Sequence, residues 1–206
     1  MSKPDNNPRD DMGINVSGHI LIRDKHTGEE LVNKRNAIHY GNMAFIVAQA
    51  LNRAPNSYIN FMAFGNGATS VDTAGRVAYK TPRVTESLEG GANLYSRTFF
   101  KVISDDASNP DTTLNRIDVI PGASYTDLVI TCTLGFGEPA GQELFDSSVN
   151  NDGEFVFDEL ALFTAPSDAA LGIDSSTMLT HVVFHPVQKS ANRVIEVVYT
   201  VRVQLS

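Results

Sequence analysis

From Ile14 onward, apolar and polar positions mostly alternate with a period of two, the pattern of strands with one buried face. Ile14, Val16, Ile20 and Ile22 share a face, Asp24-Lys25-His26-Thr27-Gly28 reads as a turn, and Glu29 to Lys34 can return as a partner. Residues 14 to 34 therefore predict a β-hairpin. Further strands are expected at Tyr58–Phe64, Arg76–Lys80, Leu94–Ile103, Arg116–Ile120, Asp127–Phe136, Glu154–Thr164, Met178–His185 and Arg193–Leu205. The last alternates most cleanly: Ile195, Val197, Tyr199, Val201, Val203 and Leu205 on one face, Glu196, Thr200, Arg202 and Gln204 on the other. One segment breaks the period. Between Ala37 and Arg53, the residues Met43, Ile46, Val47, Ala50 and Leu51 recur at helical spacing, with Asn36 as the expected N-cap and Ala54-Pro55-Asn56 as the stop. That stripe is expected to face the core. The pattern predicts a mainly β chain: an antiparallel β-sandwich with one α-helix near 37–53 and long loops, forming a single domain over residues 14–206.

Residues 1–13 are polar and rich in Pro, Asn and Asp, and are expected to form a flexible arm. The loops around 66–75, 84–92, 104–115 and 137–153 are longer than strand connection requires. Arm and loops are together the expected assembly surfaces, carried on a rigid frame. A chain of 206 residues buries enough surface to need neither disulfide nor metal for its core. The one cysteine, Cys132, lies in an alternating strand and is expected to be a small buried apolar side chain. The formal charge of −8, from 24 acidic and 16 basic residues, argues against a broad basic face for nucleic acid. No apolar run approaches the roughly 20 residues of a membrane span, and the N-terminus has no signal-peptide core. A soluble protein made in a cytoplasm is expected, with neither nucleic acid nor membrane as partner.

Candidate chemistry is sparse. Gly65-Asn66-Gly67-Ala68-Thr69-Ser70 follows a strand but lacks the Gly-Lys-Ser/Thr ending of a P-loop, so it reads as a tight turn needing φ > 0. His181 and His185 have a metal spacing on a helix, but in a strand they stand roughly 13 Å apart. His19, His26 and His39 sit in a strand, a turn and a helix start, and no catalytic motif joins them. The best-matching metal candidate is Ser148–Glu159, which fits a calcium loop at Asn150, Asp152, Gly153 and Glu159. Serine stands where the first carboxylate is wanted, so the simpler reading is an Asp-Gly turn opening a strand. No catalytic residue and no cofactor are expected.

Two groups of segments carry a resemblance. The first is Phe61-Met62-Ala63-Phe64-Gly65-Asn66-Gly67-Ala68-Thr69-Ser70, then Lys80-Thr81-Pro82-Arg83-Val84 and Leu94-Tyr95-Ser96-Arg97-Thr98-Phe99-Phe100. The second is Phe157-Asp158-Glu159-Leu160-Ala161-Leu162-Phe163, then Met178 to Val187, then the closing strand Val197 to Val203. This arrangement resembles tailed-bacteriophage tail, baseplate and fibre-attachment proteins. The chain departs from their pattern at Ala161, where glycine is usual, and at Tyr199, where tryptophan is usual. The stretch His19–Asn52, with Asn36-Ala37-Ile38-His39-Tyr40, is also similar to structural proteins of large phages. The resemblance implies a non-enzymatic virion subunit of the tail or baseplate, neck-collar or fibre-attachment region, with other virion proteins and copies of itself, in a ring or spike, as partners. The alternatives are a capsid decoration protein and a carbohydrate- or receptor-binding module. The last is disfavoured by the lack of Trp and by Phe and Tyr positions expected to be buried.

Overall fold

A computed structural model describes residues 13–85, 92–103, 115–140, 156–168, 170 and 172–205. The expected arm (apart from Gly13), much of the loops at 84–92, 104–115 and 137–153, and the candidate ligands Asn150 and Asp152 lie outside the described residues. Among the described residues, twelve strands and one α-helix follow in the order β1 Ile14–Asp24, β2 Glu30–Arg35, β3 Ala37–Ile38, α1 Tyr40–Leu51, β4 Ile59–Gly65, β5 Thr69–Val71, β6 Val77–Tyr79, β7 Arg97–Val102, β8 Asn115–Pro121, β9 Tyr125–Leu134, β10 Val156–Thr164, β11 Thr180–Gln188 and β12 Ile195–Leu205. They form two antiparallel five-stranded sheets, β2-β1-β12-β9-β8 and β3-β11-β10-β4-β7, and a small β5-β6 hairpin. The architecture is the expected antiparallel β-sandwich.

The two sheets meet through Ile20, Ile22, Ile130, Cys132, Val197 and Tyr199 from the first, and Met62, Phe64, Leu160, Leu162, Val182 and Phe184 from the second. The first sheet is largely one-sided, which is why β12 alternates from its middle on: Ile195, Val197, Tyr199 and Val201 are buried, while Thr200 and Arg202 are half-exposed on the far face, where only the Glu196 end, beside Thr131 and Thr133, is buried as well. Across that face Arg202 grips Asp127 of β9 with two hydrogen bonds of 2.7 and 2.8 Å, and Arg23 of β1 pairs with Glu196. The middle of the second sheet, β10 with most of β4, is buried on both faces. On its outer side Phe61, Ala63, Ala161 and Phe163 lie under Ala92, Leu94 and Met178, with Phe61 and Phe163 stacked at 5.0 Å. This explains why the sequence of β10, VFDELALFT, is apolar almost throughout instead of alternating.

Four expectations need correction. The helix begins at Tyr40, not at Ala37, because Ala37 and Ile38 extend the second sheet opposite His181 and Thr180. Its N-cap is His39, whose Nδ1 accepts the Asn42 N–H, while Asn36 is turned inward to the hydroxyl of Tyr199. The stripe Met43, Ile46, Val47, Ala50 and Leu51 is not a core-facing surface. Of these only Ile46 is buried and Met43 half-buried, whereas Val47, Ala50 and Leu51 are exposed. Lastly, the segment 66–75 is no simple loop, since it holds β5 and the turn to β6, closed by Asp72 accepting N–H bonds from Ala74 and Arg76.

Candidate functional site

The most concentrated polar chemistry is a buried knot on the outer side of the second sheet. Glu159, from the centre of β10, is wholly inaccessible to solvent. Its Oε1 accepts the N–H groups of Ser96 at 2.8 Å and Gly67 at 3.3 Å, and its Oε2 accepts the N–H of Tyr95 at 2.9 Å. The fourth partner is Nε2 of His181, 3.0 Å from Oε2. Nδ1 of the same ring accepts the Arg83 N–H at 2.9 Å, so it carries no proton. The imidazole is therefore the neutral tautomer that donates from Nε2. Burial pushes the Glu159 carboxyl up, but the hydrogen bonds from His181 and from the Ser96 and Tyr95 amides outweigh it and hold the group below the usual carboxylate range. Next to it Asp158 accepts the N–H of Ala68 at 3.1 Å and both N–H and Oγ1 of Thr69 at 2.8 and 2.5 Å.

Two adjacent carboxylates thus fasten the 65–69 turn and the 94–97 entry to β7 onto the sheet. The glycines of that turn serve close approach. A Cβ on Gly65 would lie 2.5 Å from both Glu159 Oε1 and the Ser96 carbonyl, and one on Gly67 would lie 2.7 Å from Ser96 Cβ. Neither has a positive φ, so the expectation of a turn needing φ > 0 is corrected to one needing room. Glu159 is the one described member of the candidate calcium set, and both its oxygens already accept hydrogen bonds within the fold. His185 lies apart from His181, its Nδ1 3.1 Å from the Tyr79 hydroxyl. Among the described residues no group of three or more His, Cys, Asp or Glu is placed to hold a metal ion. Cys132 is buried in the core, and burial pushes its thiol up to about 12.

Beside the knot a cavity of about 220 Å³ is lined by Lys34, Arg35, Tyr79, Lys80 and His181. Lys34 Nζ donates to the Val183 carbonyl and Lys80 Nζ to the Gly67 carbonyl, so both ammonium groups help hold the rim together. Tyr95 lies beneath Lys80 and donates its hydroxyl to Thr81.

The second feature is a surface. From Asn36 to Asn52 there is no Asp, Glu, Lys or Arg. Helix α1 exposes Tyr40 (71%), Leu51 (82%), Phe45 and Val47, and Tyr58 is exposed just beyond its end. An apolar groove flanks it on each side: one of about 380 Å³ with Ile14, Val16, Met43 and Val47, another of about 420 Å³ with Tyr58, Ile59, Ile117, Leu128 and Val203. Polar ties hold the helix at its N-terminal end, where the His39 N–H donates to Leu179 O and Asn42 Nδ2 to Met178 O. Among the described residues, most phenylalanines are buried as expected, whereas Tyr40, Tyr58, Tyr79 and Tyr95 are exposed, together with Phe45, Phe100 and Phe136, so the expectation is corrected for the tyrosines. This apolar surface was missed because its spacing is that of an ordinary core-facing helix. The available signal was the lack of any charged residue on the opposite face. No helix among the described residues is long and apolar enough to cross a membrane. Comparison of the chain with protein-family models, with curated proteins and with solved structures finds no match.

Proposed function

We propose that this chain is a non-enzymatic structural subunit of a tailed-phage virion, built into the tail or baseplate, neck-collar or fibre-attachment region. It works by assembling with other virion proteins and with copies of itself. The observation that carries the reading is the uncharged, exposed surface of α1 and its two flanking grooves, on a chain whose formal charge is −8. Such a contiguous apolar patch is what a protein partner covers. The buried polar side chains fit the same reading, since Asp158, Glu159 and His181 are all engaged in holding the frame. The exposed tyrosines near the cavity beside the knot fit it better than they fit a sugar platform: Tyr79 is hydrogen-bonded to His185, and Tyr95 lies under Lys80. The support for a virion in particular is the resemblance of the segments 61–70, 80–84, 94–100, 157–163, 178–187 and 197–203.

The test is localisation. Particles assembled with an epitope-tagged copy are purified and labelled for electron microscopy. Label at the tail, neck or baseplate is the expected result. Label over the shell means a decoration protein, and tag recovered only away from particles removes the virion reading altogether.

A further inference from the structure

The geometry points to β8 as a self-association edge, where a second copy of this chain adds its own β8 antiparallel about a two-fold axis at Ile117, joining the two first sheets into one. Among the described residues β8 is the last strand of its sheet, paired on one side with β9. The turn at its end tells which backbone groups face outward. The Gly122 N–H donates to Tyr125 O, so Gly122 and Tyr125 form a hydrogen-bonded pair. Counting back in twos, Ile120, Asp118 and Arg116 bond to β9 opposite Asp127, Val129 and Thr131. The N–H and C=O groups of Asn115, Ile117 and Val119, and the carbonyl of Pro121, therefore point to the open edge. The strand also leaves Val119 and Ile120 exposed, at 65% and 51%. Unpaired edges of this kind are templates for another strand.

The side chains choose the occupant and the register. Arg116 and Asp118 stand on one face, two residues apart, their side chains in contact at 2.7 Å and each less than half exposed. A two-fold at Ile117 sets Arg116 of each copy opposite Asp118 of the other, in the close, non-hydrogen-bonded kind of pair. Ile117 then faces its own copy and Val119 directs its backbone groups into the new ladder, opposite Asn115, which is itself buried with its Oδ1 accepting the Thr133 N–H. A two-fold at Asp118 instead sets two carboxylates face to face and asks Pro121, which has no N–H, to pair with Asn115. A two-fold at Val119 asks Pro121 to pair with Ile117. Of the other long edges, β7 repels a second copy, with Arg97 and Lys101 on one face, and β2 ends on Lys34 and Arg35 side by side with Glu30 at its start. Among the described edges β8 alone carries opposite charges two residues apart that already touch.

This inference rests on the reading that copies of the chain assemble, but not on the virion. Sedimentation velocity of the isolated full-length protein over a wide concentration range should show a reversible dimer. Asp118→Arg should weaken it by about tenfold or more, because two cross-strand attractions become repulsions. The double variant Arg116→Asp/Asp118→Arg should restore it. Register is read by oxidative cross-linking. The non-hydrogen-bonded pair spacing of about 4.5 Å between Cα atoms lies within disulfide range. A mixture of Arg116→Cys and Asp118→Cys proteins should give a disulfide-linked dimer, and neither variant alone should. The buried native thiol of Cys132 does not compete. A protein that stays monomeric, a dimer insensitive to Asp118→Arg, or efficient self-linking of Asp118→Cys alone overturns the proposal. A dimer in solution with no label on particles leaves this interface standing and removes the virion reading; the reverse pair of results does the opposite.

Discussion

At the scale of single residues, the hydrogen bonds of a few buried side chains hold the loops to the second sheet. Glu159 is the clearest case. Its folded-state pKa lies below the ordinary value of 4.5. The stabilisation from its ionised form is therefore fully present above about 4.5 and is lost as pH falls through the depressed folded value. Glu159→Gln should lower stability by at least ~3 kcal/mol near neutral pH, since an amide nitrogen would meet N–H donors in a buried site. Thermal melts from pH 7 to pH 3 should fall less steeply in the variant than in the parent. Parallel curves would show that the carboxylate is not ionised in the fold. A smaller effect of opposite sign is expected at Arg53, which follows the helix with φ at 56°. A left-handed non-glycine residue is strained by ~1–2 kcal/mol. Arg53→Gly should thus raise the melting temperature by about 2–4 °C if roughly 1 kcal/mol is recovered. Such details are only half visible in a sequence. Two carboxylates inside the run VFDELALF mark buried acids with partners, but nothing in the order of residues names Tyr95, Ser96 or Thr69 as those partners.

At the scale of elements, legibility follows burial geometry. Strands of the one-sided first sheet alternate and were readable, β12 above all. Val201 is buried and Thr200 is half-exposed on the opposite face. Val201→Asp should therefore cost several kcal/mol or force the carboxyl to stay protonated, with a much milder loss for Thr200→Asp. Equal losses in thermal melts would mean that a partner or loop covers the outer face as well. Short elements were not readable. Ala37-Ile38 is a two-residue strand defined by its long-range pairing with β11, and Thr69–Val71 is held by Asp158 and its hairpin partner β6. The spacing locates the helix but not its facing. A stripe at helical spacing says which residues share a side, whereas the side that faces protein depends on what the rest of the chain brings to it. Here the tertiary ties come from His39 and Asn42, two polar residues at the first turn.

At the scale of the whole molecule, the frame separates two kinds of surface. The outer face of the first sheet is polar and cross-linked by ion pairs such as Arg202–Asp127 and Arg23–Glu196. The flank beside α1 is apolar and uncharged. If a partner covers that flank, paired substitutions Phe45→Lys and Leu51→Glu should leave the melting temperature within a few degrees of the parent, because both side chains are exposed. Incorporation into particles should fall sharply in the same variant. Unchanged incorporation would move the contact to the arm and loops that polarity and length single out in the sequence.

One consequence of strands covered on both sides concerns time. Amide protons of β4 and β10 lie between two packed layers, the inter-sheet core and the Leu94–Met178 cover. Solvent reaches them when both layers part, so their exchange with deuterium should track global unfolding. The amides that β8 bonds to β9, at one rim of the other sheet, need only that rim to lift. Exchange followed by mass spectrometry should therefore separate a slow centre at β4 and β10 from a fast rim at β8. Residues that open soonest belong to the strand best placed to receive a neighbour, so association at β8 should slow the rim and leave the centre as it was.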